Sequence, residues 1–227
     1  MSLRLLALDT TREFGSIALS EGECVLEEVP LHSPEGFAHI VFGEIQSLLE
    51  RHHLTLASLD GFAAASGPGS FTGVRVGLTA AKGLAEATGR PVVAVSNLEA
   101  LAWFGTRPLR ATLLDARRGE IYGAVFDASL KPVREEVVTP LTGWLASLPE
   151  GDIEIITGGF SLPGDATQIP VVDASRTLAG AIARIAERRF LKGLARDPAE
   201  IDANYVRRSD AELLWKDPIP ATRVGSF

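Results

Sequence analysis

The chain has 227 residues, 46% of them hydrophobic and 22% charged, with a formal net charge of −7. The length suits one large domain or two small ones, and the composition excludes a disordered, collagenous or disulfide-stapled chain. The negative charge argues against polyanion binding by the chain as a whole. Arg184, Arg188, Arg189, Lys192 and Arg196 do cluster on one late helical pattern, which reads as a solvated face.

Cys24 is the single cysteine, so an internal disulfide and an all-cysteine metal site are excluded. The opening "MSLRLLALDTT" lacks a basic segment followed by a long apolar one. No apolar run reaches the ~18 residues of a membrane span. A cytoplasmic protein without membrane attachment is expected.

In chain order, residues 3–10 (LRLLALDT) read as a buried strand ending in Asp9-Thr10. Two strands follow, 15–22 and 24–31, joined by the turn Glu21-Gly22-Glu23. Residues 34–52 carry Phe37, Ile40, Val41, Ile45, Leu48 and Leu49 at helical spacing, with Pro34 as the starter. A strand at 60–67, a helix in the glycine-rich stretch that follows, a strand at 90–97 and a short helix at 98–105 complete the first half.

The pattern then restarts. "LLALDTTREFGSIALSEGECVLEEV" and "ATLLDARRGEIYGAVFDASLKPVREEV" align Asp9 with Asp115, Ala18 with Ala124, and, after a two-residue insertion, 25–29 with 133–137. A helix at 140–147, strands at 153–159 and 169–173, and a helix at 176–192 follow. An internal repeat implies two similar α/β lobes, 1–106 and 107–227, each a mixed sheet flanked by helices, with the final segment packing back on the first lobe. Such duplicated lobes resemble the actin, sugar-kinase and Hsp70 (ASKHA) superfamily. That resemblance implies a cleft between lobes where nucleotide phosphates lie beside Asp9-Thr10-Thr11 and Asp115-Ala116-Arg117.

The stretch 64–89, "AASGPGSFTGVRVGLTAAKGLAEATG", has six glycines and three charged residues, Arg75, Lys82 and Glu86. "SGPGSFTG" lies between a strand and a helix, the context in which backbone N–H groups bind anions. Gly67 and Gly69 permit a tight turn, and Ser70 or Thr72 can cap the helix. The stretch is not a dinucleotide fingerprint, since Thr72 replaces the third glycine, and not a Walker loop. An anion site and a plain capped helix start both fit. Within the helix Gly73, Gly77, Ala81 and Ala85 recur every four residues and make one face nearly bare backbone. That face packs either on the protein's own sheet or on a helix of another subunit.

His32, His39, His52 and His53 hold no i, i+4 pair and offer no metal site. Glu27-Glu28 and Glu135-Glu136 are adjacent strand residues that point to opposite faces, a poor arrangement for acid–base work.

"LALDTT", "GPGSFTGVRVGLTAAKGLA", "VSNLEALA", "DARRGEIYGAVF" and "NYVRRSDAE", in that order over nearly the whole chain, resemble the TsaB (YeaZ) family. The resemblance implies a non-catalytic relative of the TsaD/Kae-one proteins. It would serve threonylcarbamoyladenosine modification of tRNA beside the anticodon, as a homodimer when alone and as a heterodimer with the catalytic TsaD subunit. A TsaE-like ATPase joins the complex, tRNA is met only through it, and no cofactor of its own is implied beyond ATP or ADP held weakly at the complex interface. Dimerisation through the first two helices points to Phe37, Ile40, Val41, Gly73, Val74, Gly77 and Ala81. The weak nucleotide site would comprise Asp9, Thr10, Gly67, Gly69, Ser70 and Thr72. Catalytic relatives hold a metal with His-x-x-x-His; Asn97 and Leu101 stand at those positions, and leucine ligates nothing. The alternative is an active nucleotide-dependent transferase or kinase, for which Asp9 and Asp115 are the candidate carboxylates.

Overall fold

The computed structural model describes residues 2–163 and 166–206. The domain expectation for 207–227, and the later residues of "NYVRRSDAE", lie outside the described residues.

Strand alternation builds the core. In β1 (Arg4–Asp9) and β4 (Gly61–Gly67), Leu6, Leu8, Phe62 and Ala64 face one apolar cluster, while Leu5, Ala7, Ala63 and Ala65 face another. With β2 (Phe14–Glu21), β3 (Cys24–His32) and β5 (Val92–Ser96) they form a sheet in the order β3-β2-β1-β4-β5. β1, β2 and β3 pair antiparallel, whereas β1–β4 and β4–β5 are parallel. The second half repeats the plan with β6 (Leu109–Arg117), β7 (Glu120–Asp127), β8 (Pro132–Pro140), β9 (Ile153–Thr157) and β10 (Val171–Asp173), ordered β8-β7-β6-β9-β10. The repeat reaches individual hydrogen bonds: the Thr11 N–H donates to Asp9 Oδ1 at 3.0 Å, and the Arg117 N–H to Asp115 Oδ1 at 2.7 Å.

Five helices cover these sheets: α1 (Val41–Arg51), α2 (Phe71–Thr88), α3 (Asn97–Ala102), α4 (Leu141–Ala146) and α5 (Ala179–Leu191). α1 and α2 share the outer core of the first sheet, and α4 packs on the outer face of the second with Trp144. α1 begins at Val41 rather than at Pro34, because Gly36 takes φ 91° and residues 34–40 form turns.

The strands divide at 106/107, but the helices do not. α5, from the second half, lies on the first sheet: Ala179 N–H donates to Ser16 Oγ at 3.0 Å, Arg189 donates to the Ala94 carbonyl at 2.6 Å, and the Phe190 ring fills the place of a side chain at Gly61. α3, from the first half, packs on β6, β7 and β9 of the second sheet. Both helices and the inner faces of both sheets share one buried cluster, lined by Ala7, Ala63, Ala100, Ala183 and Ala186 among others. Alanines here let helix and sheet approach closely. After α5 the chain returns to the first lobe: Arg196 pairs with Val92, Lys82 Nζ donates to the Ile201 carbonyl at 2.7 Å, and the Asn204 N–H donates to the Ser66 carbonyl at 2.8 Å.

Candidate functional site: the cleft between the lobes

The first turn of the chain, after β1, is held by a buried polar knot. Asp9 is fully buried; its Oδ1 accepts from the Thr11 N–H and, at 2.6 Å, from the Thr11 hydroxyl. Asn97, equally buried, donates from Nδ2 to Thr11 Oγ1 at 2.8 Å and to Asp9 Oδ1 at 3.4 Å. Its Oδ1 accepts the Gly67 N–H at 3.1 Å. One amide thereby joins β1, β4 and α3. Asp9 Oδ2 has no hydrogen-bond partner among the described residues, and the Arg12 guanidinium stands 3.9 Å away.

The glycine turn is occupied by the protein itself. Gly67 gives its N–H to Asn97, and Ser70 gives its N–H to the Thr11 carbonyl at 2.7 Å. Gly69 is glycine because a Cβ there would lie 2.6 Å from that carbonyl. Ser70 Oγ caps α2 by accepting the Gly73 N–H at 3.4 Å, while Thr72 is exposed on the first helical turn. Thr10 lies beneath the helix and Asp9 is buried in the knot with Thr11 and Asn97, so neither lines the cleft. Of the six residues expected to bind an anion, Gly69 and Ser70 line the cavity between the lobes.

That cavity has a volume of about 460 Å³. Arg12, Phe14, Arg117, Gly159 and Arg176 bound it along with Gly69 and Ser70. Arg12 crosses it: its guanidinium donates to the Gly158 carbonyl at 2.8 Å and to the Arg176 carbonyl at 2.9 Å. A turn after β2's neighbour β1 is thus tied to the end of β9 and to the segment before α5. The β6–β7 turn carries Arg117 and Arg118 at φ 66° and 56°. Such left-handed conformations cost a non-glycine residue roughly 1–3 kcal/mol and recur at functional sites. Nothing in the composition marks Arg12 or Arg176; the paired arginines of "DARRGE" are the one local signal.

The glycine face of α2 is turned inward, which corrects the expectation of a subunit boundary. Cβ atoms at Gly73 and Gly77 would stand 2.1 Å from the Thr10 carbonyl oxygen and 2.6 Å from Thr10 Oγ1, and the Thr10 hydroxyl donates to the Gly73 carbonyl at 2.7 Å. The bare face exists to admit the end of β1. Phe37, Val41, Val74 and Ala81 are likewise buried in the first lobe, and Ile40 is half-buried. On the same two helices the outward residues include Phe42, Gly43, Phe71, Arg75, Thr79 and Gly83. Phe42 is 54% exposed and Phe71 45% exposed. Arg75 stacks over the Phe71 ring at 3.7 Å, and Tyr205 of the returning segment tilts against the same ring at 5.6 Å.

A second cavity, of about 420 Å³, lies where β5, β8, α5 and the returning segment meet. Glu136 accepts from Ser96 and, at 2.7 Å, from Asn204 Nδ2; Glu99 accepts from Arg189 at 2.5 Å. Burial raises both carboxyl pKa values above the usual range, an effect that Arg189 partly offsets at Glu99 and that Ser96 and Asn204 partly offset at Glu136. The adjacent Glu135-Glu136 pair gave no sequence signal because the partners lie 40 and 68 residues away.

No group of three or more metal-binding side chains occurs among the described residues. Asn97 is fully engaged in the knot and Leu101 is buried, so these two positions do not fit a metal ion. No helix of the described residues is long and apolar enough to cross a membrane.

The family model of TsaD, tRNA N6-adenosine threonylcarbamoyltransferase, matches residues 29–184. The tRNA threonylcarbamoyladenosine biosynthesis protein TsaB of Bacillus subtilis is 30% identical, over 94% of this chain and 98% of the relative. TsaB of Escherichia coli is 32% identical, over 74% of this chain and 85% of the relative. Among solved structures, YeaZ from Pseudomonas aeruginosa superposes with a TM-score of 0.68 at 25% identity, covering 89% of this chain and 99% of that one. A second Pseudomonas aeruginosa structure, described as similar to peptidase YEAZ, gives 0.71 at 26% identity over 90% and 100%. Full-length agreement in sequence and in the duplicated fold leaves one assignment: the chain belongs to the TsaB (YeaZ) family.

Proposed function

We propose that this chain is a non-catalytic subunit in the synthesis of threonylcarbamoyladenosine on tRNA, next to the anticodon, and that it acts by dimerising with a TsaD-like catalytic subunit. The observation that carries this reading is Asn97. Where the catalytic relatives are expected to hold a metal, its amide is consumed in tying Asp9, Thr11 and Gly67 together, and Leu101 supplies no ligand. The kinase alternative loses its carboxylate at the same point, because Asp9 is fully buried and its Oδ1 is held by Thr11 and Asn97. Asp115, the counterpart, is exposed and paired with Arg117.

The partner docks on the outward face of α1 and α2, around Phe42, Gly43, Thr79 and Gly83, where Cβ-free positions let another helix approach. The same face serves a homodimer when the chain is alone, so the two assemblies exclude one another. A TsaE-like ATPase and tRNA join through the complex, in the cytoplasm, and any ATP or ADP sits at the complex interface.

The test is reconstitution. The purified chain, given tRNA and threonylcarbamoyl-AMP, yields no threonylcarbamoyladenosine; product appears when a TsaD-like subunit that co-purifies with it is added. Chelator-sensitive turnover by the lone chain overturns the reading.

A further inference from the structure

The second cavity, of about 420 Å³, shares no lining residue with the cleft between the lobes. Its border on β8 is irregular. From Pro132 to Val137 that strand takes five steps where β7, between Phe126 and Gly123, takes three. Bulges of this kind re-aim side chains and recur beside functional sites. Arg134, Glu135 and Glu136 all border the cavity, although a regular strand would turn the middle one away. Glu99 and Arg189 pair with each other. Glu136 and Arg134 do not. Each Glu136 oxygen accepts one bond from a neutral donor, Ser96 or Asn204, and keeps a second lone pair. Arg134 is exposed, and among the described residues its guanidinium has no hydrogen-bond or ion-pair partner. A free guanidinium and a carboxyl group without a cation thus border one cavity and do not meet. Phe126 and Leu130, both buried, and Pro132 give the cavity an apolar side.

We infer that this cavity binds a small zwitterion, an α-amino acid with a short apolar side chain. Its ammonium sits on the Glu136 carboxyl group, its carboxylate on Arg134, and its side chain against Phe126, Leu130 and Pro132. The two protein groups are rooted two residues apart, roughly 6–7 Å along a strand. An α-amino acid carries its opposite charges on one carbon and bridges that gap. A guanidinium fork takes a carboxylate with two parallel N–H bonds. A plain cation meets the repulsion of Arg134, and a plain anion that of Glu135, so the pair of charges is selected over either alone. The volume lies at the small end of ligand pockets, which suits an amino acid rather than a nucleotide. This site is independent of the subunit role proposed above and survives its failure.

The test is an amide chemical-shift titration of the full chain with L-valine at neutral pH. Saturable shifts are expected at Arg134, Glu136 and Asn204. Isobutylamine, which lacks the carboxylate, and isovalerate, which lacks the ammonium, bind about tenfold or more weakly. Arg134→Gln lowers the affinity for valine by a similar factor and does not weaken isobutylamine. Glu136→Gln lowers the affinity for valine and does not weaken isovalerate. Arg134 is exposed, and an unchanged amide spectrum away from the cavity verifies the fold of both variants. Shifts that do not saturate, isobutylamine that binds as tightly as valine, or an Arg134→Gln chain that binds valine as the parent does, overturn the inference.

Discussion

The Asn97 side-chain amide donates to the Thr11 hydroxyl at 2.8 Å, across 86 residues of sequence, and its carbonyl oxygen accepts from Gly67. A single side chain at the start of α3 thus sets the distance between the β1 turn and the glycine turn. The knot is fully buried, so each of its members depends on the others for satisfaction.

Replacing Asn97 by Ala leaves the Gly67 N–H and Thr11 Oγ1 without this partner in a water-poor site. Leaving buried polar groups unsatisfied costs roughly 1–3 kcal/mol each. The expected outcome is a chain that folds with a clearly lower melting temperature and faster amide exchange at Gly67. Asn97→His does not create a metal-dependent activity, because Leu101 remains beside it. A zinc-stimulated activity in that variant would show that the knot had been misread.

Much of the architecture was legible in local pattern. The short apolar run of β1 marked a buried strand, and the return of Asp9 as Asp115 marked the duplication. The exchange of α3 and α5 between lobes was not legible: helical periodicity gives the apolar face of α5 but not which sheet it meets, and Gly61 beneath Phe190 is fixed only in three dimensions. The glycine stripe of α2 was legible as a close approach and ambiguous as to its partner. Thr10, 63 residues from Gly73, turned out to be that partner. Arg12 carried no signal at all, because its acceptors are the backbone carbonyls of Gly158 and Arg176 and any sequence has carbonyls there. The expected start of α1 at Pro34 failed at Gly36, whose positive φ a periodicity count does not weigh.

The two faces of α2 separate cleanly by mutation. Gly77→Leu drives a side chain into Thr10, since even a Cβ would meet Thr10 Oγ1 at 2.6 Å. Overpacking of this kind costs about 1–3 kcal/mol, so the melting temperature falls whether or not a partner is present. Gly83→Leu enters open space, with nothing within 4 Å of the added Cβ. Leucine in place of an exposed helical glycine stabilises the lone chain by about 0.5–1 kcal/mol. If the outward face docks the partner, the same change abolishes the homodimer in sedimentation and the capture of a TsaD-like subunit. A Gly83→Leu chain that still forms both assemblies would remove α2's outer face from the interface.

Glu136 makes the stability of the fold depend on pH. Its carboxyl is held by Ser96 and Asn204, with Glu99, Glu135, Arg134 and Arg189 lining the same cavity. Burial raises its pKa above the 4.5 of an exposed glutamate, and the charge on Glu135 adds to the rise. A carboxyl group that holds its proton more tightly when folded contributes stability that is fully present below the unfolded value. That contribution is lost as pH rises through the folded value. Glu99 shifts in the same direction and for the same first cause. Glu136→Gln keeps an oxygen for Asn204 and offers an amide to Ser96, and it has no proton to lose. Relative to this variant, the parent chain should therefore lose melting temperature as pH climbs from about 4.5 toward neutrality, and the variant should be at least as stable at pH 7. Carboxylates with lowered pKa values, Glu27 and Asp127, tilt the profile the other way, but they are common to both chains and cancel in the difference. Parallel melting profiles across that range, or a variant destabilised only at neutral pH, would mean that Glu136 is held as a charged anchor for the returning segment. In that case hydrogen exchange at Asn204 would quicken in Glu136→Gln; with a Glu136 that folds in its neutral form, exchange there stays slow in the variant.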